Sequence, residues 1–192
     1  SLFFGLFIFY SGLTLFRIWD WIDEKTFFSK TLKEAPNAAL LHHAMGNVYV
    51  REENYEKALE YYHNSLALYP LYHAAYNNIG TIYSKHALYD EAITAFREAI
   101  KINPDYIQSH FNLGTTYYQK GMTEDASREF KIVLAFNKNY VKAHNNLGII
   151  YAEKGLLNEA IAEFEEVLRH EPHNEKARNN LEIIKEELAS KS

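Results

Sequence analysis

No cysteine occurs in the 192 residues, so disulfides, thiol catalysis and cysteine-type zinc sites are excluded, while the redox compartment is left undetermined. Neither sign of charge dominates: the net charge is −5, and residues 39–174 carry 12 basic against 17 acidic side chains with no basic stripe. A nucleic-acid partner is therefore not expected. There is no glycine-rich phosphate loop, no nucleophile elbow and no zinc-ligand spacing, so the chain by itself is read as no enzyme, with no cofactor and no metal. Long hydrophobic runs are absent except one, residues 1–16, which carries no charged side chain. Proline is scarce too, with only four in the chain, and three of them, Pro36, Pro70 and Pro104, stand 34 residues apart. A residue that breaks helices at a fixed interval is punctuation between helical units.

The same interval governs what is present. Gly46, Gly80, Gly114 and Gly148 step by 34, each followed three places later by Tyr49, Tyr83, Tyr117 and Tyr151. Ala58, Ala92, Ala126 and Ala160 repeat at that step, as do Tyr62, Phe96, Phe130 and Phe164. One helical hairpin is thus written four times, over residues 39–72, 73–106, 107–140 and 141–174, with glycine at position 8 of each. Glycine at 8 and alanine at 20 suit a close crossing of the hairpin's two helices, A and B, and positions 11 and 24 carry rings that fill the space between hairpins. Neither helix buries its apolar face alone, so stability is a nearest-neighbour sum.

This pattern, L-G-x-x-Y…A-x-x-x-F…P, resembles the tetratricopeptide repeat (TPR) family. The resemblance implies an all-α solenoid, a right-handed superhelix of helix-turn-helix repeats, whose helix A positions 2, 5, 6, 9, 12 and 13 line a concave face that binds protein partners. His42, His110 and His144 hold position 4, where the family commonly has an aromatic, and are expected to pack as one. Lys138 stands where proline would be, so a slightly looser junction is expected there. Residues 175–192 read as a capping helix, with Glu182 in place of the glycine.

At the front, residues 17–38 read as a juxtamembrane half repeat, a helix B without its helix A. Residues 1–16 would span roughly 24 Å as a helix at ~1.5 Å per residue, a little short of a ~30 Å hydrocarbon core. They are expected to form an N-terminal hydrophobic helix that acts as a membrane anchor or the end of a membrane span, with a single span in this fragment and the side of the TPR array open. A signal peptide or a buried capping helix are the other readings.

Position 6 reads Ala44, Asn78, Asn112 and Asn146, with Asn180 in the cap. A side-chain amide offers a donor and an acceptor together and can pair with any peptide backbone. The series resembles the asparagine ladders of TPR superhelices that hold extended polypeptide; the alternative is that these amides are hydrated or bonded within the array. Phe111 and Tyr118, two turns apart on one helix face, are expected to anchor ligand side chains. With Asn47, Arg51 and Lys85 they complete the expected peptide-binding set, whose cations give a mild preference for acidic or neutral peptide. The TPR subclass that clamps chaperone C-termini is rejected: its two asparagines are present as Asn47 and Asn78, but its cations are missing where this chain has His43, Gln108 and Asn112.

The arrangement of an uncharged run, Arg17, the Trp19/Trp21 pair and a TPR array also resembles the C-terminal part of transmembrane-and-TPR O-mannosyltransferases. Two functions follow as expectations. One is a membrane-anchored scaffold binding extended polypeptide on its concave face. The other is the acceptor-recognition module of a multi-span glycosyltransferase whose catalytic domain lies outside this chain.

Overall fold

The computed structural model describes residues 24–190. Within them lie ten α-helices and no strand: α1 (Glu24–Glu34), α2 (Ala39–Arg51), α3 (Tyr55–Leu68), α4 (His73–Lys85), α5 (Tyr89–Ile102), α6 (Ile107–Gln119), α7 (Thr123–Phe136), α8 (Val141–Glu153), α9 (Leu157–His170) and α10 (Glu175–Ser190). Helices α2, α4, α6 and α8 are the A helices and α3, α5, α7 and α9 the B helices of an all-helical TPR solenoid. The chain divides into two compact units, Ser1–Asn78 and Ile79–Ser192.

The expected N-terminal hydrophobic helix and membrane span, residues 1–16, lie outside the described residues. Among the described residues no helix is long and apolar enough to cross a membrane, so the expectation of a single span within this fragment is corrected. The physical reason is length and charge. The longest helix, α10, has 16 residues and is studded with Glu and Lys, whereas a span takes about 20 apolar ones.

In the C-terminal unit the core runs through Phe96, Leu113, Phe130, Val133, Leu147 and Ile150 and on to Leu157, Phe164, Val167, Ala177, Leu181 and Ile184. In the N-terminal unit it comprises Met45, Val48, Tyr49, Ala58, Tyr62, Leu66 and Ala75. The reason for glycine at position 8 differs from the expected backbone crossing. A Cβ on Gly114 would lie 2.8 Å from the Phe130 ring, and on Gly148 2.9 Å from the Phe164 ring. The ring at position 24 is seated on the glycine of its own hairpin, and it is the ring that a side chain would strike. Phe96, Phe130 and Phe164 are all at most 1 % exposed, so they have no room to retreat.

Each helix A ends in the same left-handed turn. Met122 N–H donates to Tyr117 O at 2.8 Å and Gly121 N–H to Tyr118 O at 2.9 Å, the paired bonds of a Schellman motif. The three other hairpins repeat it, as in Leu88 to Tyr83 at 3.0 Å with Ala87 to Ser84 at 3.0 Å. The residue at position 15 must therefore take positive φ, which Gly121 and Gly155 do at no steric cost, while Glu53 and Ala87 are held there at φ 58° and 57°.

Junctions between hairpins are tied by position 4. His110 Nε2 lies 2.9 Å from Pro104 O and its Nδ1 2.7 Å from Glu129 Oε2. His144 repeats this with Lys138 O at 2.8 Å and Glu163 Oε2 at 2.6 Å. Arg178, at position 4 of α10, donates to Pro172 O at 2.6 Å, and His42 Nε2 meets Pro36 O at 2.9 Å. His110 and His144 are buried and His42 is half-buried, as expected of aromatic packing, but their polar work was missed: they satisfy the carbonyl of the inter-hairpin turn. The junction at Lys138 is consequently no looser than that at Pro104. Asn137 Oδ1 also accepts from Asn139 N–H at 3.0 Å, as Asn103 Oδ1 does from Asp105 N–H at 3.3 Å. His42 has Tyr61 in place of the glutamate, and its buried Nδ1 has no hydrogen-bond partner among the described residues.

Two measurements test these devices. Ala87→Gly should raise the free energy of unfolding by about 1 kcal/mol, because an L-residue in the left-handed region costs about that much, and Gly121→Ala should lower it similarly although no atom lies within 4 Å of the added Cβ. Both are read from urea unfolding midpoints. The second concerns His110, whose pKa is raised above the ordinary 6.5 by the Glu129 hydrogen bond first, against the lowering effect of burial. Both ring nitrogens face oxygen acceptors, so only the imidazolium satisfies both. A pKa raised on folding gives stability that is complete below about pH 6.5 and is lost as pH rises through the folded value. Glu129→Gln should flatten that decline between about pH 6 and 8; an unchanged pH profile would mean that the pair does not stabilise the junction.

Candidate peptide-binding face

Each helix A buries one side and leaves a stripe on the other. Helix α6 buries Ser109, His110, Leu113, Gly114, Thr116 and Tyr117, so Gln108, Phe111, Asn112, Thr115 and Tyr118 share the opposite side by helical spacing. Helix α8 buries Ala143, His144, Leu147, Gly148 and Ile150, leaving Lys142, Asn145, Asn146, Ile149 and Glu153. In α10 the buried residues are Ala177, Leu181 and Ile184, and the stripe is Lys176, Asn179, Asn180, Ile183 and Glu187.

The asparagines of position 6 are not equivalent. In the N-terminal unit the amide nitrogen of Asn78 donates to Asn47 Oδ1 at 3.0 Å and faces His43 Nε2 at 3.0 Å and the Tyr62 hydroxyl at 3.3 Å. Tyr62 in turn donates to Asn47 Oδ1 at 2.7 Å. Burial lowers the His43 pKa and pushes the Tyr62 phenol up to about 12, so the network holds a neutral imidazole accepting at Nε2 and a neutral phenol. Asn47 and Asn78 are thus bonded to one another, and Arg51, the third expected site residue there, is ion-paired with Glu24.

In the C-terminal unit Asn112 is partly engaged: its Oδ1 accepts from Gln108 Nε2 at 2.8 Å and its amide nitrogen donates to Thr81 Oγ1 at 3.4 Å. Asn146 and Asn180 make no side-chain hydrogen bond among the described residues. The cause is legible in position 9 of the preceding repeat. Asn47 accepts from Asn78 and Thr81 from Asn112, but Thr115 spends its hydroxyl on Phe111 O at 3.0 Å, and Ile149 has no polar atom. That series, Asn47, Thr81, Thr115, Ile149, was the signal that sequence reasoning passed over.

The two expected anchors are also partly occupied. The Phe111 ring packs 5.7 Å from Phe130 and 5.1 Å from Tyr140, so it is half-buried and offers one side only. Tyr118 donates its hydroxyl to Glu153 Oε1 at 2.5 Å, a bond that raises its pKa to about 12. Ser84 links to Gln119 at 3.2 Å by the same step from position 12 to position 13 of the next repeat. Lys85 is exposed at the end of α4. No group of three or more His, Asp or Glu that could hold a metal occurs among the described residues.

Comparison with known proteins places this geometry. Models of the tetratricopeptide repeat match residues 39–72 and 141–174, and 74–103; a TPR repeat model matches 89–121 and 114–155. Protein O-mannosyl-transferase TMTC3 of Mus musculus is 45% identical over 49 residues, which is 26% of this chain and 5% of that protein. The chain thus spans only a twentieth of the length of that curated relative. The solved structure of YrrB, described as a TPR protein with an unusual peptide-binding site, superposes with a TM-score of 0.72 at 24% identity, covering 82% of this chain and 81% of that one. The first TPR of Spaghetti (RPAP3), bound to the HSP90 peptide SRMEEVD, gives a TM-score of 0.59 at 28% identity over 61% of this chain and 93% of that one. With the family's repeat matched from end to end of the array, the chain belongs to the tetratricopeptide repeat family.

Proposed function

We propose that the protein is a TPR interaction scaffold whose helix A face binds extended polypeptide, chiefly through the C-terminal unit. The observation that carries this is the unspent amide of Asn146, with the half-buried Phe111 of α6 and the Tyr118–Glu153 pair on the helix A face. A free amide beside a half-exposed ring suits a backbone with loose side-chain selection. Asn47, Asn78 and Arg51, already paired within the N-terminal unit, serve there as supports, and Lys85 adds positive charge. The RPAP3 domain holds an acidic chaperone peptide, but the cations of a two-carboxylate clamp are absent here, so a carboxyl terminus is not the expected ligand.

Selection from a random displayed-peptide library on the purified chain tests this. Asn112→Ala combined with Asn146→Ala should weaken the selected peptides by about tenfold or more, since losing a partnered buried amide costs about 1–3 kcal/mol, while the helical circular dichroism stays unchanged. Peptides indifferent to both changes but lost on mutation of outward helix B residues would reassign the surface.

A second reading is supported by the 49-residue match to TMTC3: the array would recruit acceptor polypeptide for a glycosyl-transfer site elsewhere in a longer protein. If so, peptides that bind the array should accept sugar from the intact protein better than peptides that do not.

A further inference from the structure

The open end of the face carries a second pattern, in bands across α8 and α10. Position 2 holds Lys142 and Lys176, both exposed and neither in an ion pair among the described residues, although Lys154 and Lys185 nearby are paired with Glu124 and Glu165. Positions 5 and 6 hold Asn145, Asn146, Asn179 and Asn180, none of them hydrogen-bonded among the described residues. Position 9 holds Ile149, packed on the cluster that includes Leu181 and Ile184, and Ile183, which is 62 % exposed. The far edge is acidic, with Glu153 and Glu186. A cationic band and an aliphatic band therefore flank a band of free amides.

An extended chain laid along the amide band sends successive side chains to opposite sides. We infer that this end of the face selects an extended peptide whose side chains alternate between acidic and aliphatic, the carboxylates meeting Lys142 and Lys176 and the aliphatic groups covering Ile149 and Ile183. Lysine suits this role because its flexible ammonium reaches a carboxylate without a fixed fork geometry. Unpaired positive charge on a chain of net charge −5 is the complement of an acidic ligand, and an isoleucine left open beside it is the complement of an aliphatic one. The inference rests on the helix A face being the binding surface and adds the ligand's chemistry and its alternation.

The test uses three fluorescein-labelled decapeptides and the full chain in anisotropy titrations: alternating Glu and Val, the same composition as a Glu block followed by a Val block, and alternating Lys and Val. The alternating acidic peptide should bind at least about tenfold more tightly than either of the others, the size of effect expected when a central anchor is met or missed. Lys142→Glu with Lys176→Glu should reverse the order in favour of the alternating lysine peptide, and Ile183→Ser should weaken both alternating peptides. These sites are exposed, so the variants should keep the wild-type helical signal. Equal affinity for the alternating and blocked peptides, no binding of the first, or indifference to charge reversal would overturn the inference. Library peptides that still depend on Asn146 would then leave the binding face standing and this specificity refuted.

Discussion

The seat of the position 24 ring on the position 8 glycine is the contact on which the array depends. It joins helix A to helix B inside each hairpin, and it does so with the largest fully buried side chains among the described residues, Tyr62, Phe96, Phe130 and Phe164. A ring buried this completely contributes about 1.5–3 kcal/mol by removal from water alone. Beside the glycine the preceding leucine, Leu113 or Leu147, is buried in the core of the C-terminal unit. The helix A face on the other side, which is the proposed binding surface, carries less of the packing.

What is written there depends on position 9. The same asparagine is a structural tie at Asn78, an engaged group at Asn112 and a side chain without a hydrogen bond among the described residues at Asn146, and the residue one turn along the preceding helix A changes with it, as do the partners His43 and Tyr62 at Asn78 and Gln108 at Asn112. Polarity at that position falls from Asn47 through Thr81 and Thr115 to Ile149, and the open amides begin where it runs out. A periodic scaffold thus carries an aperiodic surface. An amide bonded within the array has less to offer a ligand, which is why the proposed binding face is centred on Asn146.

The repeat was legible because its constraints are local and recur: Gly114 needs Phe130, and the turn at Gly121 needs positive φ, so each leaves a mark every 34 residues. The histidines of position 4 were legible as buried but not as ties, because their partners, the Pro104 and Lys138 carbonyls, are backbone groups that carry no sequence signature. The Asn78 network was hidden for another reason. Its members His43, Asn47, Tyr62 and Asn78 each look like a surface or core residue in isolation, and only the 34-residue frame brings them together. The membrane span read from residues 1–16 rested on composition and lies outside the described residues. No helix among the described residues replaces it.

A double-mutant cycle between Gly114 and Phe130 tests the ring-on-glycine account most directly. Gly114→Ala adds a methyl group 2.8 Å from the Phe130 ring, whereas Phe130→Leu removes the ring edge that it strikes. Unfolding free energies of the two single variants and the double variant should show a coupling of about 1 kcal/mol or more, the alanine being tolerated far better beside leucine than beside phenylalanine. Additive costs, with no coupling beyond about 0.3 kcal/mol, would contradict the claim that this contact sets the spacing of the hairpin.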